Sequence, residues 1–545
     1  MNSLLVMVVT FALYILAYNL YGKRLGSKLF ELATKNITPA EKINDGVDYV
    51  PTNKFILTGH HFTSIAGTGP IVGPVLGVIW GWVPALLWVI FGSIFAGAVH
   101  DLGALVLSMR HEGKSIGDIT GSVINPRTRT LFFLIIFFCL LIVIAIFAIL
   151  MANLFVQYPQ CVFPIWTEIF IAMGLSWYLY QKKGSLLVGS IVAIILMYLT
   201  IWLGLYLPLS LTNQTWLVII MIYVFFASTM PVQRLLQPRD YINALELGVA
   251  MVLLIVGIII RPLPIVAPAV ISSPAGAPPM FPFLFITIAC GAISGFHSLV
   301  SSGTSSKQLD KEPSALAVGY GAMLLEAALA TLVILAVTTG VSRVEWLNTY
   351  AHYAQVPTLP TFAEGGARIV GALGIPKAFA LNILAVFMVS FASTTIDTAT
   401  RLQRYVIAEF GDSVKQNWLT NKYFAAGIAV VSAYLMAFRG SANLIWPLFG
   451  ATNQMLAGLA LLTVTVYLAK KNKPILYTLI PMSFMIVMTT WGMVANFRSY
   501  LAAGNMLLTV INGLIILLEL WMIVEAVNVL SKSGQSPLDL PAETA

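Results

Sequence analysis

Apolar stretches, each long enough to cross the hydrocarbon core of a membrane, recur along most of this sequence. Because a helix needs about 20 apolar residues to cross ~30 Å of hydrocarbon, they predict an all-α integral membrane protein with about fifteen transmembrane helices. Only 10% of the 545 residues are charged, against about 25% in soluble domains. The predicted segments are residues 3–21, 55–80, 83–108, 130–155, 161–180, 185–208, 213–231, 242–261, 281–303, 316–340, 376–400, 421–438, 443–469, 474–495 and 505–530.

The lysine and arginine residues are distributed unevenly between the two sides of this topology. With the N-terminus outside, 24 of the 30 Lys and Arg residues fall in segments on the inner side, as the positive-inside rule requires. The net charge of +8 is therefore explained by topology and by contact with anionic membrane lipids. Nucleic-acid binding is not expected, and the polar tail after Ser531 is expected on the cytoplasmic side.

A polar motif, G-x-H-x5-G-T, occurs twice inside apolar segments. The first copy runs from Gly59 to Thr68 and the second from Gly295 to Thr304, which predicts matching positions for the two histidines. A step of seven helices separates the two segments, so they cross the membrane in opposite directions. This arrangement predicts the inverted repeat of a secondary transporter, with five helices in each half.

The predicted organisation has five parts. An N-terminal helix and cytoplasmic linker are followed by the first half, two intervening helices with an outside loop, the second half, and two C-terminal helices with the polar tail. The corresponding ranges are 1–54, 55–208, 209–280, 281–470 and 471–545.

Dense glycine and proline predict that the first helix of each half is broken, because proline removes a backbone donor and glycine weakens the helix. Released backbone groups are tolerated at membrane depth only inside protein or beside a cavity, where they can hold a substrate carboxylate or a cation. The alternative is that these small residues only allow tight helix packing. The candidate substrate-binding residues are His60, His61, Thr63, Gly67, Thr68, Gly69, His297, Ser298, Gly303 and Thr304.

Ionisable residues within predicted spans are candidates for ion coupling, because each is costly to bury in a membrane. Asp397 lies in a hydroxyl-rich stretch with Ser393 and Thr394, which suits Na⁺ or a proton. Alternatively, Asp397 pairs with Arg401, four residues later, and only anchors the helix end. The other candidates are His100, Asp101 and Glu326. The expected coupling ion is H⁺ or Na⁺, and no cofactor is expected.

Metal-dependent and enzymatic functions are not expected from the sequence. His60 and His61 are adjacent and point to different faces of a helix, and no H-E-x-x-H spacing occurs. The cysteines Cys139, Cys161 and Cys290 have no metal-ligand spacing and predict neither a metal site nor a disulfide framework. The sequence also has no Walker motif, nucleophile elbow or nucleotide fingerprint.

Several longer motifs resemble the carbon starvation protein A family, over roughly residues 40–470. These motifs are residues 44–52, 59–74, 92–101, 294–298 and 393–397. The resemblance implies a multi-pass secondary transporter of the bacterial or archaeal inner membrane, related to the leucine-transporter-like fold. It also implies uptake of peptides during carbon starvation or proton-coupled uptake of pyruvate.

The leading functional hypothesis is an ion-coupled symporter that binds its substrate between the two broken helices. A passive channel lined by the same polar residues is one alternative, and a nutrient-sensing membrane protein is another. The sequence does not distinguish peptide from pyruvate, since both present a carboxylate beside a carbonyl oxygen. It also leaves the coupling ion and the oligomeric state open.

Overall fold

The computed structural model describes residues 2–46, 48–232, 234–413, 415–439 and 442–533. Part of the predicted polar tail, residues 534–545, lies outside these ranges. Within them the chain is helical and has no β-strand. Eleven of the described helices are long and apolar enough to cross a membrane, so the chain is a multi-pass membrane protein. Besides shorter helices in the loops, such as Ile116–Val123 and Thr358–Gly371, the helices in chain order are α1 (Ser3–Leu29), α2 (Lys54–Ala66), α3 (Gly69–Trp80), α4 (Trp82–Arg110), α5 (Pro126–Gln157), α6 (Pro159–Gln181), α7 (Leu186–Gly204), α8 (Asn213–Thr229), α9 (Leu236–Ile260), α10 (Met280–Thr287), α11 (Gly295–Gly303), α12 (Leu316–Thr339), α13 (Lys377–Asp412), α14 (Lys422–Phe438), α15 (Ile445–Lys470), α16 (Leu476–Ala502) and α17 (Met506–Val529).

Helices occupy all fifteen predicted segments, but four segments differ from simple spans. The segment predicted at 55–80 is the pair α2 and α3, bent by 45°. The segment predicted at 281–303 is the pair of short helices α10 and α11, while α8 and α14 are apolar helices below the length of a full span. The total of fifteen crossings therefore stays a prediction.

Loops that the charge distribution predicts on one side of the membrane contact one another. On the predicted outer side, the backbone N–H of Ser3 donates to the carbonyl of Leu263 at 3.0 Å. On the predicted inner side, the N–H of Thr52 donates to the carbonyl of Gln308 at 3.0 Å. Both contacts join loops that an alternating topology places on the same side of the membrane.

Helices α5 and α13 pack against each other, and each contacts several further helices. Helix α5 packs against α13; α5 also contacts α8, α14 and α15, while α13 contacts α14, α8 and α9. Helix α4 packs on α11, and α12 packs on α3. Helices α8 and α9, predicted as intervening helices, both contact α13. The α6–α7 hairpin is peripheral, since most of both helices is exposed on the outside of the bundle.

The first break lies at Gly67, between α2 and α3. Its φ angle of +51° is one that residues with a Cβ rarely adopt, and a Cβ there would lie 2.4 Å from the hydroxyl of Thr395. Pro70 then sits in the first turn of α3, where a missing N–H is harmless. The predicted break in the first motif copy is therefore confirmed.

The second segment is also broken, over residues 288–294, between α10 and α11. The first motif copy, Gly59 to Thr68, comes before its break, whereas the second copy, Gly295 to Thr304, comes after its break. The two copies therefore lie on opposite sides of their breaks along the chain. The prediction that the histidines occupy corresponding positions in two repeats is wrong, because identical letters do not mark the same structural position.

We predict that Gly67→Ala destabilises the protein by at least about 1–3 kcal/mol, the cost of a Cβ in this backbone region, with further loss from overlap with Thr395. The measurement is the free energy of unfolding in mixed micelles. Gly427→Ala is the control, because it lies within α14 and has nothing within 4 Å of the added Cβ. Equal stability of the two variants would show that the turn at Gly67 does not need glycine.

Candidate functional site

The two breaks touch each other in the centre of the bundle, and glycines allow this approach. A Cβ on Gly69 would lie 2.4 Å from the Sγ of Cys290, and a Cβ on Gly73 would lie 2.7 Å from the carbonyl oxygen of Thr287. Both glycines belong to the first broken helix, and both contacts are with the second. The start of α3 and the stretch around residues 287–290 therefore form one surface.

Two side chains bond the backbone groups around the second break. The indole N–H of Trp88 donates to the carbonyl of Ile288 at 2.9 Å. The amide oxygen of Asn453 accepts from the backbone N–H of Phe296 at 2.8 Å. Backbone groups left without partners at membrane depth would be costly, so Trp88 and Asn453 stabilise the unwound stretch.

The two motif copies meet through the histidine pair of α2. The Nδ1 of His61 lies 2.7 Å from the hydroxyl of Ser305, just after the second copy. The Nδ1 of His60 lies 2.6 Å from the carboxylate of Asp240 on α9, and its Nε2 lies 3.3 Å from the side-chain amide of Gln308. The predicted convergence of residues 61–69 with 297–305 is therefore present in part, through His61.

The hydroxyls among the candidate substrate-binding residues fall into two groups. Those of Thr63, Ser298 and Thr304 donate to carbonyls of their own helices at 2.7–3.0 Å. The hydroxyl of Thr68 and the Nε2 of His61 are buried and have no hydrogen-bond partner within the described residues. These last two atoms remain open to a ligand at the first break.

A cluster of histidines and carboxylates joins α4, α11 and α12. Asp101 accepts from the Nδ1 of His100 at 2.7 Å and faces the Nδ1 of His297 at 2.9 Å. The Nε2 of His297 faces the carboxylate of Glu326 at 3.4 Å. All four side chains are fully buried. The structure thus brings three of the ion-coupling candidates together with a histidine predicted to bind substrate.

Asp397 pairs with Arg239 of α9, and not with Arg401. The Arg239 guanidinium contacts the Asp397 carboxylate and the hydroxyl of Ser393, and its Nε donates to Glu168 at 2.9 Å. Arg401 instead approaches Asp48 at 3.4 Å. Thr394, the third member of the predicted stretch, accepts from Asn243 at 2.9 Å. The alternative that Asp397 pairs with Arg401 is wrong, because α9 places the buried Arg239 beside Asp397.

Arg239, Asp240 and Glu168 are not among the site residues that the sequence predicts. The eighth predicted segment starts at residue 242, whereas α9 starts at Leu236. Pro238 was the available signal: proline favours the first turn of a helix, and a start before it places both charged residues inside the membrane helix. Glu168 lay within a predicted span but was not singled out.

A cavity of about 610 Å³ lies beside the second broken helix, at the predicted outer side. It reaches Thr287, the last residue of α10, and extends along α15 at Trp446 and Gly450 and along α16 at Asn496 and Tyr500. The cavity therefore ends next to the unwound stretch, where solute from the outer side would first meet a break.

Comparison with known proteins gives one consistent result. The family model "Carbon starvation protein CstA" matches residues 2–355 and 341–492. The "Peptide transporter CstA" of Campylobacter jejuni is 33% identical, over 92% of this chain and 81% of that protein. The "Pyruvate/proton symporter BtsT" of Escherichia coli is 30% identical, over 90% of this chain and 81% of that protein.

Among solved structures, this chain is similar to the manganese transporter of Eremococcus coleocola. The TM-score is 0.51 at 13% identity, covering 90% of this chain and 99% of the other. At this identity the likeness concerns the fold alone: a helical membrane transporter fold of the leucine-transporter type.

We predict that Arg239→Gln costs about 3–5 kcal/mol of unfolding free energy, because it leaves the buried carboxylates of Glu168 and Asp397 without their cation. Unfolding in mixed micelles measures the loss.

The matched control is Arg368→Gln, which removes the exposed pair with Glu345 on the predicted outer side. Hydrogen bonds from Arg368 and Ser342 hold the pKa of Glu345 below its usual value, yet water screens this pair and the expected change is far smaller. A similar loss in both variants would contradict a structural role of the buried network.

Proposed function

The chain belongs to the carbon starvation protein CstA family, and on that premise we propose that it imports a small carboxylate, either pyruvate or a short peptide, by cation-coupled symport. Its relatives are named as transporters of these two substrate types. The observation that carries the proposal is the direct contact between the two breaks, at Gly69 and Cys290. A substrate bound there contacts both broken helices at once.

The helix contacts support an inverted repeat whose first half differs from the predicted 55–208. We assign the first half to α2–α3, α4, α5, α8 and α9, and the second to α10–α11, α12, α13, α14 and α15. The α6–α7 hairpin is then an insertion within the first half. With this assignment the two broken segments are still seven helices apart along the chain, so they cross the membrane in opposite directions. Alternating access through two inverted repeats requires opposite directions.

The substrate carboxylate is proposed to bind at the first break. The Nε2 of His61 and the hydroxyl of Thr68 supply polar atoms that no described residue occupies. At the second break, the backbone N–H of Phe296 is already bonded to Asn453, so the first turn of α11 is less available. The cavity that ends at Thr287 provides an entry from the outer side.

The coupling cation is proposed to bind where α2 meets α13. The hydroxyl of Thr395 lies against Gly67 and has no partner among the described residues, and the hydroxyls of Ser64 and Thr398 are 3.4 Å apart. Hydroxyl and carbonyl oxygens suit a hard cation. Asp397, the carboxylate predicted for this role, already contacts the positive charge of Arg239, which opposes the approach of a second cation.

The location proposed is the cytoplasmic membrane, with the N-terminus outside and the C-terminus inside. The excess of lysine and arginine in the loops of one face supports this orientation. A passive channel would share the membrane location and the polar midplane, but it would not concentrate a solute against its gradient.

We predict concentrative uptake of labelled pyruvate or of a labelled dipeptide by proteoliposomes containing the purified protein. Separately imposed H⁺ and Na⁺ gradients identify the coupling ion, because only the coupled one accelerates uptake. Accumulation above the outside concentration excludes the channel. The symport proposal would be overturned if neither the H⁺ gradient nor the Na⁺ gradient accelerated the uptake of either solute.

We also predict that Thr395→Ala raises the coupling-ion concentration needed for half-maximal uptake by tenfold or more, since a hydrogen bond or contact to a charged group is worth about 1.5–3 kcal/mol. Thr400→Ala on the same helix is the control, because its buried hydroxyl donates to the carbonyl of Ile396 at 2.8 Å. If both variants keep the wild-type ion dependence, the cation does not bind at Thr395.

A further inference from the structure

A cysteine, a histidine and a glutamate come together behind the second break. One ligand atom from each of Cys290, His297 and Glu326 lies within 4.8 Å of the other two. All three side chains are buried, with at most 4% of their surface exposed. Cys290 comes from the unwound stretch, His297 from the first turn of α11 and Glu326 from α12, so the break itself assembles the group.

With the His297 ring neutral, two hydrogen-bond acceptors would face each other in this cluster. The carboxylate of Asp101 accepts from the Nδ1–H of His297 at 2.9 Å, which leaves the Nε2 of the neutral ring with a lone pair. That nitrogen faces a Glu326 oxygen at 3.4 Å. Within the described residues, neither this Nε2 nor either oxygen of Glu326 has a hydrogen-bond partner. A cation between the two acceptors would remove this conflict.

We propose that Cys290, His297 and Glu326 bind a divalent transition-metal ion of the Zn²⁺ class. A sulfur, an imidazole nitrogen and a carboxylate oxygen are the donors that Zn²⁺ and Co²⁺ favour, whereas Na⁺, Mg²⁺ and Ca²⁺ favour oxygen alone. On binding, the Cys290 thiol releases its proton and the thiolate bonds the metal. The site is independent of the identity of the transported substrate.

Neighbouring groups orient the three ligands. Asp101 fixes the tautomer and the orientation of His297, as carboxylates do for metal-binding histidines. The side-chain amide of Asn453 lies 3.8 Å from the Sγ of Cys290 and can donate to a thiolate. Gly69, whose Cβ would lie 2.4 Å from the same sulfur, allows Cys290 to pack closely against the start of α3. The Cys290 thiolate and the Glu326 carboxylate together balance a divalent charge.

Sequence spacing gave no sign of this site, and the expectation of no metal rested on that spacing. The ligands are at positions 290, 297 and 326, far from any compact metal motif. Only the break at 288–294, the packing of α11 on α4 and the approach of Glu326 on α12 to His297 bring them together. A metal site at these three residues would be contrary to the expectation from the sequence that the protein binds no metal.

The test is metal binding to the full-length protein, purified in nanodiscs and stripped with a chelator. We expect about one Co²⁺ per chain, with an optical charge-transfer band from thiolate to cobalt, and displacement of Co²⁺ by Zn²⁺. Cys290→Ser should abolish the band, Glu326→Gln should weaken binding, and Asp101→Asn should weaken it about 10–100-fold. Cys161→Ser is the matched control, a buried cysteine outside the cluster, and should keep both band and affinity.

Wild-type protein that binds no Co²⁺ would overturn the proposal, as would Co²⁺ bound without a thiolate band. A band that survives Cys290→Ser would place the metal elsewhere and would also overturn it. Monodisperse elution of each variant guards against loss of fold. Because binding is measured without transport, its failure is distinct from failure of the symport proposal.

Discussion

A helix can be broken inside the apolar layer of a membrane only if the backbone groups that the break releases are buried in protein or line a water-filled cavity. Around the second break, Trp88 and Asn453 bond two of these groups. At the first break, Gly67 permits the turn and Gly69 permits contact with Cys290. The remaining architecture follows from this requirement, because two breaks can share one set of surrounding helices only when they touch.

Two buried ionic clusters flank the breaks and tie different helices together. The Arg239 cluster joins α9 to α13 and, through Glu168, to the α6–α7 hairpin. The cluster around His297 joins α11 to α4 and α12. In an apolar surrounding an unpaired charge is far more costly than in water, so each cluster constrains which helices are neighbours. The α6–α7 hairpin is thus fixed to α9 by charge as well as by apolar packing.

The sequence was sufficient for features that depend on local composition. Apolar length predicted the helical segments, and glycine with proline predicted the first break at its place, whereas the second break lies before the motif copy that predicted it. It was insufficient where a three-dimensional contact decides the outcome. The partner of Asp397 comes from Arg239, 158 residues away in the chain, while the i+4 rule pointed to Arg401. The repeated motif led to a wrong prediction for a similar reason. Its two copies are 236 residues apart, whereas the two breaks are separated by a different number of residues.

The adjacent histidines of α2 contact different parts of the bundle, because their side chains point in different directions. The same property made them poor candidates for binding one metal ion together. Side chains of neighbouring residues on a helix point in different directions, so His60 and His61 cannot easily share one ion. In the structure His60 bonds Asp240, next to Arg239, and His61 bonds Ser305, just after the second motif copy. Helix α2 therefore contacts α9 through His60 and the segment just after α11 through both rings. A displacement of α2 must alter both contacts, which links the break at Gly67 to both sides of the bundle.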